Sequence, residues 1–251
     1  MKTTLSITLL LLASFAQGSE RTVAEKLQTV SVTVRAGQAQ GSGVILLRHD
    51  VNFVLTAGHV VSDLRHEGRT ESGKTSVFFD DAQVVQELIE NGRKVGQVMF
   101  TAKVVSFSKY KKPGEDLALL RIYKKHAYNE SAILLPNALI TPVGTHLLHC
   151  GSLLGQFGSN SMTSGIMSQV GRILDDTVFD QTSCTAFPGS SGGGVFTEDG
   201  HYIGMVVRGN GEGFNFIIPV RRIQTWATRV HADFIFDPAK PLTDPTLEEK
   251  P

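Results

Sequence analysis

Pro188-Gly189-Ser190-Ser191-Gly192-Gly193-Gly194 is the stretch on which the reading of this 251-residue chain turns. A serine hydroxyl is a poor nucleophile, so chemistry at Ser191 needs a base and a place for charge on an attacked carbonyl. A Gly-x-Ser turn can aim the backbone N–H groups of Gly189 and Ser191 at that oxygen. Glycine lets such a loop take conformations that a Cβ would block. A flexible Gly/Ser linker is the plainer reading, but apolar strand-like runs flank this segment tightly on both sides. After Ser191 come glycines and then the strand-like Val195-Phe196, not a helix.

Two other segments supply what Ser191 lacks. In Val54-Leu55-Thr56-Ala57-Gly58-His59-Val60-Val61, a histidine follows an apolar strand and small residues, where its ring can face a cleft. An imidazole titrating near neutrality can take the serine proton and return it to a leaving amine. In Gly114-Glu115-Asp116-Leu117-Ala118-Leu119-Leu120, a carboxylate leads directly into an apolar strand. Asp116 can there accept the Nδ1–H of His59 and fix its tautomer. Glu115 is the local competitor, pointing opposite to Asp116 if the strand already runs there. Either residue alone reads equally well as a structural histidine or a turn carboxylate; together with Ser191 they form a set.

Chain order separates scaffolds. Gly189-Ser190-Ser191-Gly192-Gly193 also fits the Gly-x-Ser-x-Gly elbow of α/β hydrolases, but that elbow leads into a helix and its order is serine, acid, histidine. Here the order is histidine, acid, serine, and a strand follows.

The pattern around these segments is that of an all-β fold. Thr29 to Arg35 alternates, and Gly43 to Leu47, Phe53 to Leu55, Thr75 to Phe79, Val98 to Phe107 and Leu117 to Ile122 are further strand-like runs bounded by turn residues. A second group runs through Thr145 to His149, Gly165 to Val170, Thr177 to Thr182, Gly194 to Phe196, Tyr202 to Val207 and Phe214 to Ile218. Pro136 to Pro142 is the connection predicted between the halves. Asp81 to Asn91 carries Val84, Val85, Leu88 and Ile89 at helical spacing and reads as a short helix or loop insertion. Residues 219–230 read as an amphipathic C-terminal helix, and 237–251, rich in proline and charge, as an extended or disordered tail.

Composition narrows the classes of function. Lys plus Arg (24) equals Asp plus Glu (24), so the clustered basic excess that phosphate neutralisation needs is missing, and no nucleic-acid partner is expected. Met1-Lys2, an apolar run from Leu5 to Phe15 and Ala16-Gln17-Gly18 read as a signal peptide over residues 1–18. The run is too short to span roughly 30 Å of hydrocarbon, so no membrane association is expected after its removal, and the mature chain is expected to be periplasmic or secreted. In an oxidising compartment Cys150 and Cys184 could pair as one disulfide, or remain two buried thiols; sequence leaves both open. Neither a metal nor a cofactor is expected.

Taken together, the Thr-Ala-Gly-His, Asp-Leu-Ala-Leu-Leu and Pro-Gly-Ser-Ser-Gly-Gly blocks resemble the three signatures of trypsin-like (chymotrypsin-fold) serine peptidases. Gly41-Ser42-Gly43-Val44, Thr163-Ser164-Gly165-Ile166 and Phe216-Ile217-Ile218-Pro219 resemble the exported bacterial high-temperature-requirement (Deg-type) branch. The similarity runs from about Val30 to Ile223. It implies two six-stranded antiparallel β-barrels, about 29–135 and 143–220, in a peptidase domain over 19–236. It further implies serine endopeptidase chemistry on a protein or peptide substrate, with His59, Asp116 and Ser191 as triad and the Gly189 and Ser191 amides as oxyanion hole. The substrate pocket would be formed by Thr185, Ala186, Phe187, Val206, Val207 and Arg208. With no acid among Thr185, Ala186 and Phe187, the resemblance implies no preference for Arg or Lys, and a small-to-medium apolar P1 residue is expected. Digestive members carry an acid where this chain has Ser190, so proteolytic activation is not expected. Deg-type proteins usually append a PDZ domain, but this sequence ends shortly after the expected second barrel, so neither that domain nor peptide-regulated assembly is expected. The alternative is a peptidase-fold binding protein without turnover.

Overall fold

A computed structural model describes residues 21–90, 93–111, 114–134 and 139–248. The signal-peptide reading and part of the predicted inter-barrel connection lie outside the described residues. The first half opens with helix α1 (Val23–Thr29), whose start is closed by a capping box between Thr22 and Glu25. Strands β1 (Ser31–Ala36), β2 (Ala39–Arg48) and β3 (Val51–Ala57) follow, and helix α2 (Gly58–Val61) comes directly off β3. A two-stranded excursion, β4 (Arg65–Arg69) with β5 (Thr75–Phe79), precedes β6 (Ala82–Glu90), β7 (Arg93–Ser108) and β8 (Leu117–Ile122). Strands β1, β2, β3, β8, β7 and β6 close into a barrel in that order.

The predicted helix or loop at Asp81 to Asn91 is corrected to a strand. β6 pairs with β1 through Thr33 opposite Val85 and with β7 along its whole length. Val84 and Val85 are β-branched and sit well on a pleated surface, and closing the barrel satisfies both backbone edges of β6. That pairing outweighs a spacing which fitted a helix face equally well.

In the second half, β9 (Ile133–Leu134) is followed by β10 (His146–Leu153), β11 (Gly158–Leu174), β12 (Thr177–Thr182), β13 (Gly194–Thr197), β14 (His201–Gly209) and β15 (Asn215–Pro219). The sheet runs β13-β10-β11-β12-β15-β14-β9, and an additional β13–β14 pairing brings it round on itself. Six antiparallel strands thus form the expected second unit. The seventh, β9, was not foreseen; it joins β14 in parallel through only two residue pairs. Helix α3 (Val220–Arg229) buries Val220, Ile223, Trp226 and Ala227.

β8 shows why the acid-bearing segment reads as continuously apolar. Leu117, Ala118, Leu119 and Leu120 are all fully buried, one set facing the barrel interior and the alternate set facing the rest of the molecule. Beyond α3, residues 237–248 run over the surface, with Thr246 N donating to Val230 O (2.8 Å) and Glu248 bridging to Phe107.

Candidate active site

His59 is held on the single turn of α2, immediately after β3, rather than at the end of the strand itself. Gly58 is required there: a Cβ at that position would come within 2.2 Å of Ser108 O and 3.2 Å of Asp116 C. The chain carrying Asp116 therefore packs directly against the backbone that carries His59. The His59 Nδ1 lies 3.1 and 3.0 Å from the two Asp116 carboxylate oxygens, and the His59 backbone N–H donates to Oδ1 at 2.9 Å. One carboxylate thus fixes both the ring and its backbone. Asp116 is almost fully buried, while a third of the His59 side chain remains exposed.

Ser191 reaches the same region from the second half. Its carbonyl accepts from Ser42 N (2.8 Å), and a Cβ on Gly192 would strike Ser42 O at 2.1 Å and Ala57 N at 3.0 Å. Gly41 fits between the Val60 side chain and Ser191 O. The serine loop is therefore seated on the β2 and β3 segments that flank His59.

The orientation of the loop amides follows from peptide planarity. In a trans peptide the C=O and the next N–H point in opposite directions. Pro188 O accepts from Leu154 N (2.7 Å), which turns the Gly189 N–H away from Leu154. Ser190 O accepts from Gly193 N (2.8 Å), which likewise turns the Ser191 N–H outward. Neither amide has a protein acceptor among the described residues. Gly189 takes φ +94°, the region that favours glycine, and a Cβ there would meet Ser152 O at 2.3 Å.

A cleft of about 690 Å³ opens beside Ser191, lined by Ala186, Phe187, Val206, Val207 and Arg208 from the predicted set. Thr185 is not among its lining residues; its carbonyl is instead turned to Thr163 Oγ1 (2.7 Å). Residues that sequence reasoning missed complete the wall: Ser190, Asn215 and the loop from Gly209 to Glu212. Glu212 is the only carboxylate in that lining and is exposed. Ser190 is buried and its Oγ accepts from Phe187 N (3.1 Å).

Two further residues carry signals that sequence alone did not resolve. Ser42 Oγ donates to Gly189 O (2.7 Å) and accepts from Ser152 N (2.7 Å), tying β2, β10 and the serine loop together. His149 lies fully buried beneath that loop, its Nδ1–H donating to Gly194 O (2.9 Å). Burial pushes its pKa down to about 4, against the opposing pull of that carbonyl. Cys150 and Cys184 are both free, so the disulfide alternative is not formed. Each thiol has its own acceptor, Asn160 Oδ1 and Leu147 O respectively, both at 3.6 Å. Burial raises the pKa of both, to about 12 at Cys150. No group of three or more potential metal ligands occurs among the described residues.

Comparison with known proteins places the chain in a family and a fold. The trypsin-like peptidase domain family matches residues 41–205. A probable periplasmic serine endoprotease, DegP-like, of Pseudomonas putida (strain W619) is 31% identical over 194 residues, covering 74% of this chain and 33% of the relative. A serine protease, HtrA-like, of Staphylococcus aureus (strain bovine RF122 / ET3-1) is 28% identical over 200 residues, covering 73% and 22%. The chain thus spans a third or less of the length of these relatives. Among solved structures, the serine endoprotease from Yersinia pestis aligns with a TM-score of 0.59 at 25% identity, covering 87% of this chain and 68% of that one. An HtrA-type protease solved with a tripeptide gives the same TM-score at 23% identity, covering 86% and 63%. With the match extending from Gly41 of β2 through the serine loop into β14, the chain belongs to the trypsin-like peptidase domain family.

Proposed function

We propose that this chain is an exported serine endopeptidase that cleaves peptide bonds through an acyl-enzyme, with His59, Asp116 and Ser191 as its triad. The observation that carries the reading is the Asp116 carboxylate engaging His59 Nδ1 and backbone together, beside a serine loop with two undonated amides. Ser191 attacks the substrate carbonyl as His59 Nε2 takes its proton. Asp116 holds the Nδ1–H tautomer and stabilises the imidazolium, and the Gly189 and Ser191 amides receive the oxyanion. Imidazolium then protonates the leaving amine, and a water molecule repeats the sequence on the acyl-enzyme. Export to the periplasm or medium is supported by the leader-like first residues and by the periplasmic naming of the Pseudomonas relative.

The cleft supports an apolar P1 residue of small to medium size. Ala186, Val206 and Val207 line it, its one carboxylate stands exposed, and Arg208 is paired with Asp175 at 3.1 Å. The exposed end of β14 can pair with an extended substrate backbone. A fluorophosphonate probe tests the chemistry: parent protein labels and Ser191→Ala does not. No labelling of folded parent would favour a binding protein on a peptidase scaffold. Cleavage of a peptide library strictly after Arg would overturn the P1 assignment.

A further inference from the structure

Glu115, the carboxylate beside Asp116, is largely withdrawn from solvent and paired on both oxygens. Arg222 of α3 donates to Glu115 Oε2 through Nε (3.1 Å) and through Nη2 as well, and Arg229 Nη2 donates to Oε1 (2.7 Å). Arg222 also reaches Glu115 O through Nη2 (3.5 Å) and Val178 O through Nη1 (2.8 Å). Its guanidinium lies over the Phe179 ring at 4.8 Å from the centroid, and Arg208 of β14 lies over the same ring at 5.3 Å. A continuous set of contacts thus runs from the loop before Asp116, through α3 and Phe179, to the strand lining the cleft. It joins the two halves of the molecule behind the candidate triad.

The residue next to this clamp is strained. Asp116 takes φ +60°, a left-handed conformation that costs a non-glycine residue about 1–2 kcal/mol and persists only where the surroundings hold it. Its loop has local support in Glu115 N donating to Ser108 Oγ (2.7 Å) and Asp116 N donating to Lys109 O (3.1 Å). Those contacts come from the same hairpin and would move with it. The Arg222 contacts come from the other half of the molecule. Burial pushes the Glu115 carboxyl up, yet Arg222 and Arg229 together outweigh it and hold the group below its usual range, so it stays ionised in the clamp.

We propose that Glu115 and Arg222, assisted by Arg229, are positioning residues that hold the Asp116 carboxylate on His59. The inference rests on the triad reading above and extends it: α3 of the second half sets the orientation of the acid in the first. A displacement on the order of 1 Å at a reacting group can lower turnover about 100-fold, so a loosened clamp acts on kcat.

The test uses the full-length protein with Glu115→Gln, Arg222→Gln and the double variant. Turnover of an ester substrate, its KM, thermal unfolding and the low-field proton resonance of the His59 Nδ1–H are all measured. Each single variant lowers kcat about tenfold or more, leaves KM within about threefold and weakens or shifts the resonance. The double variant loses less than the product of the two single losses, because the singles share the Glu115–Arg222 interaction, while Arg229 and Val178 account for what they do not share. Arg222→Lys, which keeps the charge but not the fork, recovers part of the loss. If folded variants keep parental kcat and resonance while melting earlier, the clamp is only a staple between halves and the proposal fails. If neither single variant folds, the pair serves the fold rather than Asp116, and the proposal is likewise overturned. Failure of the parent itself to label with fluorophosphonate would sink the peptidase reading instead, while the resonance still reports on the clamp.

Discussion

At Asp116 a single buried carboxylate accepts three hydrogen-bond contacts from His59, so its replacement separates shape from charge. Asp116→Asn keeps the acceptor for the His59 backbone but offers an amide to Nδ1, favouring the wrong tautomer. Turnover of a peptide ester is expected to fall about 10⁴-fold with little change in fold, and parental kcat would remove Asp116 from the proposed chemistry. His149 gives a second expectation, in stability rather than turnover. Burial keeps its native pKa at about 4, whereas an unfolded histidine titrates near 6.5. The unfolded chain therefore binds a proton that the native chain refuses. The stability this neutral ring allows is complete above about pH 6.5 and drains away as pH falls toward about 4, up to about 3 kcal/mol. Urea unfolding of the parent and His149→Leu at about pH 7.5 and about pH 4.5 checks it: the parent should lose about 2–3 kcal/mol more than the variant. Equal losses would mean that the ring takes a proton in the folded state.

Elements differ in how much of them the sequence exposes. Phe53 to Leu55 of β3 and Leu117 to Leu120 of β8 announce themselves as apolar runs because both faces there are covered, and the glycines beside Ser191 betray a loop with no room for side chains. β6 misled because Val84, Val85, Leu88 and Ile89 satisfy a helical period as well as a pleat, and only the partner strands decide between them. α2 and the left-handed backbone of Asp116 leave no compositional trace; both follow from how tightly Gly58 lets two segments approach. Ser42 is the sharpest omission, since a serine between two glycines signals a turn and not a tie. With Ser42→Ala, Gly189 O and Ser152 N each lose a buried partner, at roughly 1–3 kcal/mol for an unsatisfied group. Lower stability in urea together with lower kcat is expected. Unchanged kcat in a destabilised protein would show that the tie serves the two sheets and not the oxyanion loop.

Across the whole molecule, the proposed site is assembled from both halves, so the question is what holds the serine loop in its working shape. In relatives that need proteolytic activation, an acid before the nucleophile receives a newly freed terminal amine. Here that position is Ser190, neutral, buried and satisfied by the amide of Phe187 three residues away. The loop carbonyls find their own partners at Leu154, Ser42 and Gly193, none of which depends on a chain terminus. The first described segment is tied down elsewhere: Arg21 pairs with Glu130, and Gln28 Nε2 of α1 donates to Asn160 O (3.0 Å) on the second sheet. Among the described residues, Ser190 and the loop carbonyls thus have partners other than a terminal amine. A chain beginning at Ser19 and the same chain behind a short N-terminal tag should therefore label with fluorophosphonate at equal rates, without treatment by a second peptidase. A tagged form that stays silent until cut, while folded to the same melting temperature, would mean that the terminus does reach the loop. The self-contained bonding of Ser190 would then be a resting state rather than the working one.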